Sequence, residues 1–181
     1  MFDVRLFTGL SLSPEVLANL EVLLEEIQPL ARINWSPISQ LHITTKFIGN
    51  FPFARVSELH RYLLSLPRLG TFPLTLSGIR YFPRPRGSWI LYARVEPSEP
   101  LNQLAAAMDE QLAFYDVRRE RDEYLPHVTI GRIPGKNPWL ELDQRVELNL
   151  TRPFGSFDVT EYHLYESTPS GYRIFASVPL T

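Results

Sequence analysis

The 181-residue sequence contains no cysteine. That excludes disulfide bonds, a thiol nucleophile and a thiolate metal site, so an apolar core must hold the fold unaided. No apolar run approaches the roughly 18 residues that a membrane span needs. The segment MFDVRLFTGL lacks a basic stretch followed by a long apolar one. No signal peptide is expected, and the expected location is the cytoplasm. Lysine is scarce: of 18 cationic residues only Lys46 and Lys136 are lysines, which leaves 16 arginines. Guanidinium forks suit phosphate, although genome composition alone also produces such a bias. The formal net charge is only −2. Domains that grip long duplexes by neutralising many phosphates are usually basic, so a small anionic ligand or a nucleic-acid end fits better. No Walker A loop or other glycine-rich cradle is present, and ATP is not implied.

What is present is ordinary in bulk: 44% hydrophobic and 21% charged residues, as in soluble globular proteins. The length suits one compact domain or two small lobes. The chain repeats itself loosely. VRLFTGLSL reads as a strand and SPEVLANLEVLLEEI as a helix, with Ser13 as N-cap and Pro14 at the first helical position. The strand LHITTKFIG follows. Later SWILYARV reads as a strand, EPLNQLAAAMDEQLAFY as a helix containing Pro100, and LPHVTIGR as a strand. From Pro14 to His42 is 28 residues, and from Pro100 to His127 is 27. FPLTLSGIRYF and SWILYARV, joined at PRPRG, read as a hairpin, and so do FDVTEYHLYES and YRIFASVPL, joined at TPSG. ARVSELHRYLLSL reads as a helix, whereas its counterpart NPWLELDQRVELNL reads as a strand. The expected architecture is α+β: residues 1–181 as one bilobal domain of two pseudo-symmetric, internally repeated lobes. Each lobe is a mostly antiparallel sheet with helices on its outer face, and a catalytic cleft lies between them.

Each repeat places a histidine in an apolar, β-branched strand with a threonine two residues on. Strand side chains alternate, so His42, Thr44 and Lys46 share one face, and His127 and Thr129 share one face of theirs. With ten threonines in the chain, chance puts a threonine two places after two or more of four histidines in roughly 2% of cases. Facing each other across a cleft, two imidazoles supply a base and an acid near neutral pH. Hydroxyls and a nearby cation hold the oxygens of a phosphate. Neither motif carries a carboxylate-rich or four-ligand set, so no metal is expected. His60 and His163 lack the threonine and read as structural.

LHITTKFIG and LPHVTIGR resemble the paired His-x-Thr-x signatures of the 2H phosphoesterases, and within them the RNA 2′,3′-cyclic phosphodiesterases of LigT-like type, formerly 2′-5′ RNA ligases. The resemblance covers essentially the whole chain, including VRLFTGLSLSPEVLANL, FPRPRGSWILYARV and LYESTPSGYRIFASVPL. Thr45 and Ile130 stand at places that are often leucine. The resemblance implies a bilobal enzyme without metal or cofactor that opens RNA 2′,3′-cyclic phosphate ends to 2′-phosphates, with the reversible 2′-5′ ligation reported for relatives; a monomer is expected. It implies His42 as proton donor, His127 as proton acceptor, and Thr44 and Thr129 on the phosphate. Arg132 matches an arginine often seen after the second motif. Alternation puts it on the face opposite His127, so it reaches the phosphate only if the strand ends or twists near Gly131. The partners implied are RNA ends or cyclic-phosphate nucleotides. The alternatives are a cyclic phosphodiesterase for a small nucleotide or ADP-ribose derivative, and a non-catalytic RNA-end binding module.

Two further stretches and two aromatic residues carry weaker signals. YFPRPRG, with Arg80, Arg84 and Arg86, is either a basic hairpin tip for RNA phosphates or a proline-stiffened solvated turn. RRERDEY, 118–124, reads as a solvated charge run. Phe47 and Tyr124 are candidates for base stacking, with core packing the stronger reading.

Overall fold

The computed structural model describes residues 2–135 and 139–181. Its strands are β1 (Asp3–Leu10), β2 (Asn34–Trp35), β3 (Ile43–Pro52), β4 (Phe72–Pro83), β5 (Trp89–Val95), β6 (His127–Ile133), β7 (Pro153–Val159), β8 (Glu161–Thr168) and β9 (Gly171–Pro179). Its helices are α1 (Pro14–Ile27), α2 (Val56–Ser65), α3 (Glu99–Leu112) and α4 (Leu140–Leu148). The helix starts follow the local chemistry. Ser13 caps α1 by accepting from the Val16 N–H at 3.2 Å, and Ser98 caps α3 by accepting from the Leu101 N–H at 3.3 Å. Val16, Leu20, Leu23, Leu24 and Ile27 form the buried stripe of α1.

Two sheets result, ordered β3-β1-β8-β9 and β2-β6-β5-β4-β7, with every pairing antiparallel. The lobes are exchanged rather than separate. After β3 and α2 the chain does not return to the first sheet; β4 joins the second, beside β5. The helices cross over as well. Asn19 of α1 donates to the Phe154 carbonyl at 2.8 Å, in β7 of the second sheet. Tyr81 of β4 donates to Asp143 of α4 at 2.8 Å, also on the second sheet. On the first sheet, α3 lies against β3, and His60 of α2 donates from Nε2 to the Ser177 carbonyl in β9 at 3.0 Å. The sheets meet where β3 contacts β6, along the two strands of the histidine motifs.

Two sequence expectations need correction. NPWLELDQRVELNL begins at Asn137 and Pro138, outside the described residues, and its described part contains helix α4 instead of a strand. Leu142 and Val146, spaced i and i+4, are the buried residues that seat it, with Glu141 and Asp143 in the first turn and Arg145 in the last. FDVTEYHLYES is two strands: Thr160 separates β7 in the second sheet from β8 in the first. No helix of the described residues is long and apolar enough to cross a membrane.

Lys46 is only 2% exposed. Its ammonium donates to Asp109 Oδ1 at 2.8 Å, the Arg118 carbonyl at 2.7 Å and Glu120 Oε1 at 3.2 Å. Removing the charge breaks a buried ion pair and takes a donor from the Arg118 carbonyl, so Lys46→Met is expected to cost about 3 kcal/mol in urea unfolding. Burial pushes the Asp109 carboxyl up, but Lys46, the Glu120 N–H and Arg119 hold it at about 2 against an ordinary 3.8. A folded pKa below the unfolded one stabilises above about pH 4 and is lost as the pH falls toward 2. Lys46→Met is expected to flatten that part of the stability profile.

Candidate active site

His42 sits one residue before β3, and His127 opens β6. Both rings are held the same way. His42 Nδ1 donates to the Gln40 carbonyl at 2.7 Å and His127 Nδ1 to the Leu125 carbonyl at 2.8 Å, each two residues back. A carbonyl only accepts, so Nδ1 carries the proton of the neutral ring and Nε2 is the basic nitrogen. Thr44 Oγ1 lies 3.1 Å from His42 Nε2 and donates to it while the ring is neutral. Aromatic side chains pack around both. Ring centroids of Phe7, Tyr172 and Tyr165 lie 4.9, 4.9 and 5.6 Å from His42, and those of Phe82 and Tyr92 lie 5.1 and 5.7 Å from His127.

Burial is the main force on both imidazoles, and it pushes each pKa below the ordinary 6.5. The carbonyl partners oppose it. Like charge then lowers the values further: His127 and Arg132 act on His42, and Arg132 and Arg84 act on His127. Repulsion between the two rings is mutual, so protonation of either one disfavours protonation of the other. Burial thus favours the neutral form of each imidazole.

Strict alternation fails in both motif strands, at equivalent places. Gly9 pairs with Thr44 but Thr8 with Lys46, so Thr45 is an extra residue in β3. Tyr92 pairs with Thr129 but Leu91 with Gly131, so Ile130 is an extra residue in β6. A bulge of this kind reverses the facing of everything beyond it. Arg132 therefore returns to the face of His127 and Thr129, is exposed, and acts electrostatically on both histidines. Gly131 turns to the opposite side, where an added Cβ would lie 2.8 Å from Ile33 Cδ1. The same reversal corrects two readings in β3. Lys46 does not share the face of His42; it is the buried cation that ties β3 to α3. Phe47 is not a core residue: it is 63% exposed on the histidine face. It stands five residues after His42, as Arg132 stands five after His127. That shared spacing is the signal that was available for Phe47.

Tyr124 is half-buried, and its hydroxyl donates to the Thr44 carbonyl at 2.7 Å, linking the approach to β6 with the first motif. The segment before the first motif pairs with β6 in turn, Asn34 opposite Arg132 and Trp35 opposite Gly131. His163 is buried between Ser11 Oγ at 3.1 Å and Ser177 Oγ at 2.8 Å. Among the described residues no group of three or more His, Asp or Glu converges as a metal site. The sequence reading did not name Phe7, Tyr165 and Tyr172, which wall the first motif, nor Arg84 as a neighbour of His127.

This constellation can now be set beside known proteins. Residues 13–170 match the sequence profile of the 2′-5′ RNA ligase superfamily. A relative from Archaeoglobus fulgidus named RNA 2′,3′-cyclic phosphodiesterase is 25% identical over 170 residues, which are 93% of this chain and 94% of that one. A relative of the same name from Methanocaldococcus jannaschii is 30% identical over 133 residues, 72% of this chain and 74% of its own. In fold, the chain is similar to E. coli LigT complexed with 3′-AMP, with a TM-score of 0.79, 22% identity and 99% of each chain covered. It is also similar to a protein from Thermus thermophilus, with a TM-score of 0.77, 24% identity and 97% of each chain covered. With both histidine strands inside the matched region, the chain belongs to the 2′-5′ RNA ligase superfamily of 2H phosphoesterases.

Proposed function

We propose that this protein is an RNA 2′,3′-cyclic phosphodiesterase that opens cyclic phosphate ends to 2′-phosphates by paired-histidine acid–base catalysis. The observation that carries the reading is the matched pair of imidazoles. Each has Nδ1 locked on a carbonyl, each has Nε2 left basic, and the two lie within electrostatic reach of one another where β3 meets β6. The names of the Archaeoglobus and Methanocaldococcus relatives support the substrate.

In this mechanism His127 Nε2 takes a proton from water as the oxygen attacks phosphorus. The bond from phosphorus to the 3′-oxygen breaks, and His42 Nε2–H protonates the departing oxygen. A 2′-phosphate and a 3′-hydroxyl result, and the two rings exchange protons with solvent before the next turnover. Once His42 is protonated, the Thr44 hydroxyl no longer donates to Nε2 and is free for a phosphate oxygen. Thr129 and Arg132 hold the others, where charge sits during transfer. A 5′-hydroxyl in place of water would give a 2′-5′ linkage by the same steps, which is the ligation reading. Each repeat supplies one histidine, so residues 1–181 act as one catalytic unit. A monomer in the cytoplasm, engaged in RNA processing, is the setting this reading implies.

Hydrolysis of a cyclic-ended oligonucleotide to a 2′-phosphate is expected in EDTA without added nucleotide, followed by product chromatography. Activity lost in chelator and restored by a divalent cation would contradict it. His42→Ala and His127→Ala are each expected to lower kcat by at least about 100-fold with little change in the unfolding midpoint. The double variant is expected to lose less than the product of the two. Arg132 depresses both imidazoles. Arg132→Gln is therefore expected to raise both histidine pKa values in an NMR titration and to raise KM. Unchanged titrations would place the guanidinium outside the site.

A further inference from the structure

The two walls of the cleft differ in chemistry. On the first sheet the histidine face carries Phe47, Tyr172 and Ile174, which are 63%, 37% and 48% exposed, with Arg5 only at its far end. On the second sheet the register runs Arg80–Tyr92–Thr129 and Phe82–Ile90–Arg132 across β4, β5 and β6, so Arg80 and Arg132 lie on the face of the second motif. Arg84 follows in the β4–β5 turn, near enough for its charge to act on His127.

Among the described residues none of Arg80, Arg84 and Arg132 pairs with a carboxylate, whereas Arg55, Arg119, Arg152 and Arg173 all do. In a chain with 20 acidic residues against 18 basic ones, that leaves a cationic surface on one side of the cleft. Its tip is also stiff. Pro83 and Pro85 flank Arg84, whose N–H donates to the Ser88 carbonyl at 2.8 Å. Arg86 and Gly87 close the turn at φ 69° and 80°.

A free cyclic nucleotide brings one phosphate, and the motif residues with Arg132 suffice for it. Arg80, about 10 Å from Thr129 across two strand spacings, and Arg84 beyond it would have no anion to hold. An RNA strand supplies anions at that range, and its terminal base suits the apolar wall opposite. We propose that the β4–β5 hairpin is the track along which an RNA strand enters, with Arg80 and Arg84 gripping the internucleotide phosphates that precede the cyclic end. The protein then acts on polynucleotide ends in preference to free cyclic nucleotides. This rests on the phosphodiesterase reading and adds the class of substrate.

The test compares a 2′,3′-cyclic mononucleotide with a cyclic-ended tetranucleotide over a range of salt. For the wild type, log kcat/KM against log salt is expected to be steeper for the tetranucleotide by about 1.4, at about 0.7 per phosphate contact on a single strand. In Arg80→Gln/Arg84→Gln the tetranucleotide is expected to lose about tenfold or more in kcat/KM, mostly through KM. The mononucleotide should lose far less, and the difference in slope should vanish. Arg80→Lys/Arg84→Lys keeps the charge and is expected to restore most of the slope, which separates a phosphate contact from a folding defect. Changing the bases upstream of the end is expected to leave the effect in place, because phosphate contacts carry no sequence information. Equal losses on both substrates, or equal salt slopes in the wild type, would overturn the track while leaving the phosphodiesterase reading intact. A wild type that turns over neither substrate would overturn both.

Discussion

The geometry of the site depends on a buried charge that never enters it. An ammonium withdrawn from water is costly unless its donors are met, and the Lys46 donors are met by Asp109, Glu120 and the Arg118 carbonyl. Those partners lie on α3 and on the segment leading to β6. Strand β3 is therefore tied through Lys46 to the approach to the second motif. A few residues further on, the Tyr124 hydroxyl closes on the Thr44 carbonyl, and His127 follows. One ion cluster and one hydrogen bond thus set the second histidine against the first. The exchange of β4 and of the helices between the sheets ties the same knot at larger scale.

Two bulges turn that frame into a site. A regular β3 would have sent Lys46 into the cleft and Phe47 into the core, and a regular β6 would have buried Arg132. One extra residue in each strand reverses all three. Because the bulges are equivalent, the two motifs remain related by the internal repeat. Because Phe47 and Arg132 differ, the repeat yields unlike walls. One wall is apolar and the other carries arginines.

Much of this was legible in the sequence, and the part that was not has a physical reason. Ser13, Pro14 and the apolar stripe of α1 act within one helix, so local reading finds them. The recurrence of His42 and Thr44 as His127 and Thr129 likewise needs no knowledge of neighbours. A bulge does: Thr45 and Ile130 are extra only relative to β1 and β5, so parity counted along the strand misplaced Lys46, Phe47 and Arg132. Helix α4 read as a strand because only Leu142 and Val146 of its short span are buried, too few to show a helical period. The break at Thr160 was hidden because apolar residues continue on both sides of it, although β7 and β8 belong to different sheets.

The central claim is that one imidazole gives a proton while the other takes one. It is tested most directly by the pH dependence of kcat/KM, with chemistry shown to be rate-limiting. Each macroscopic pKa belongs to the coupled pair, so the account predicts a bell rather than a single step. His127→Ala should remove chiefly the acid limb, where a base must lose its proton, and His42→Ala chiefly the alkaline limb. Both limbs of the substrate-free protein should lie lower than an ordinary imidazole would place them, because burial depresses both rings. A profile flat between about pH 5 and 9 in the intact protein would contradict histidine acid–base catalysis, since an alkaline limb set below the ordinary imidazole value must already make the rate fall across that window.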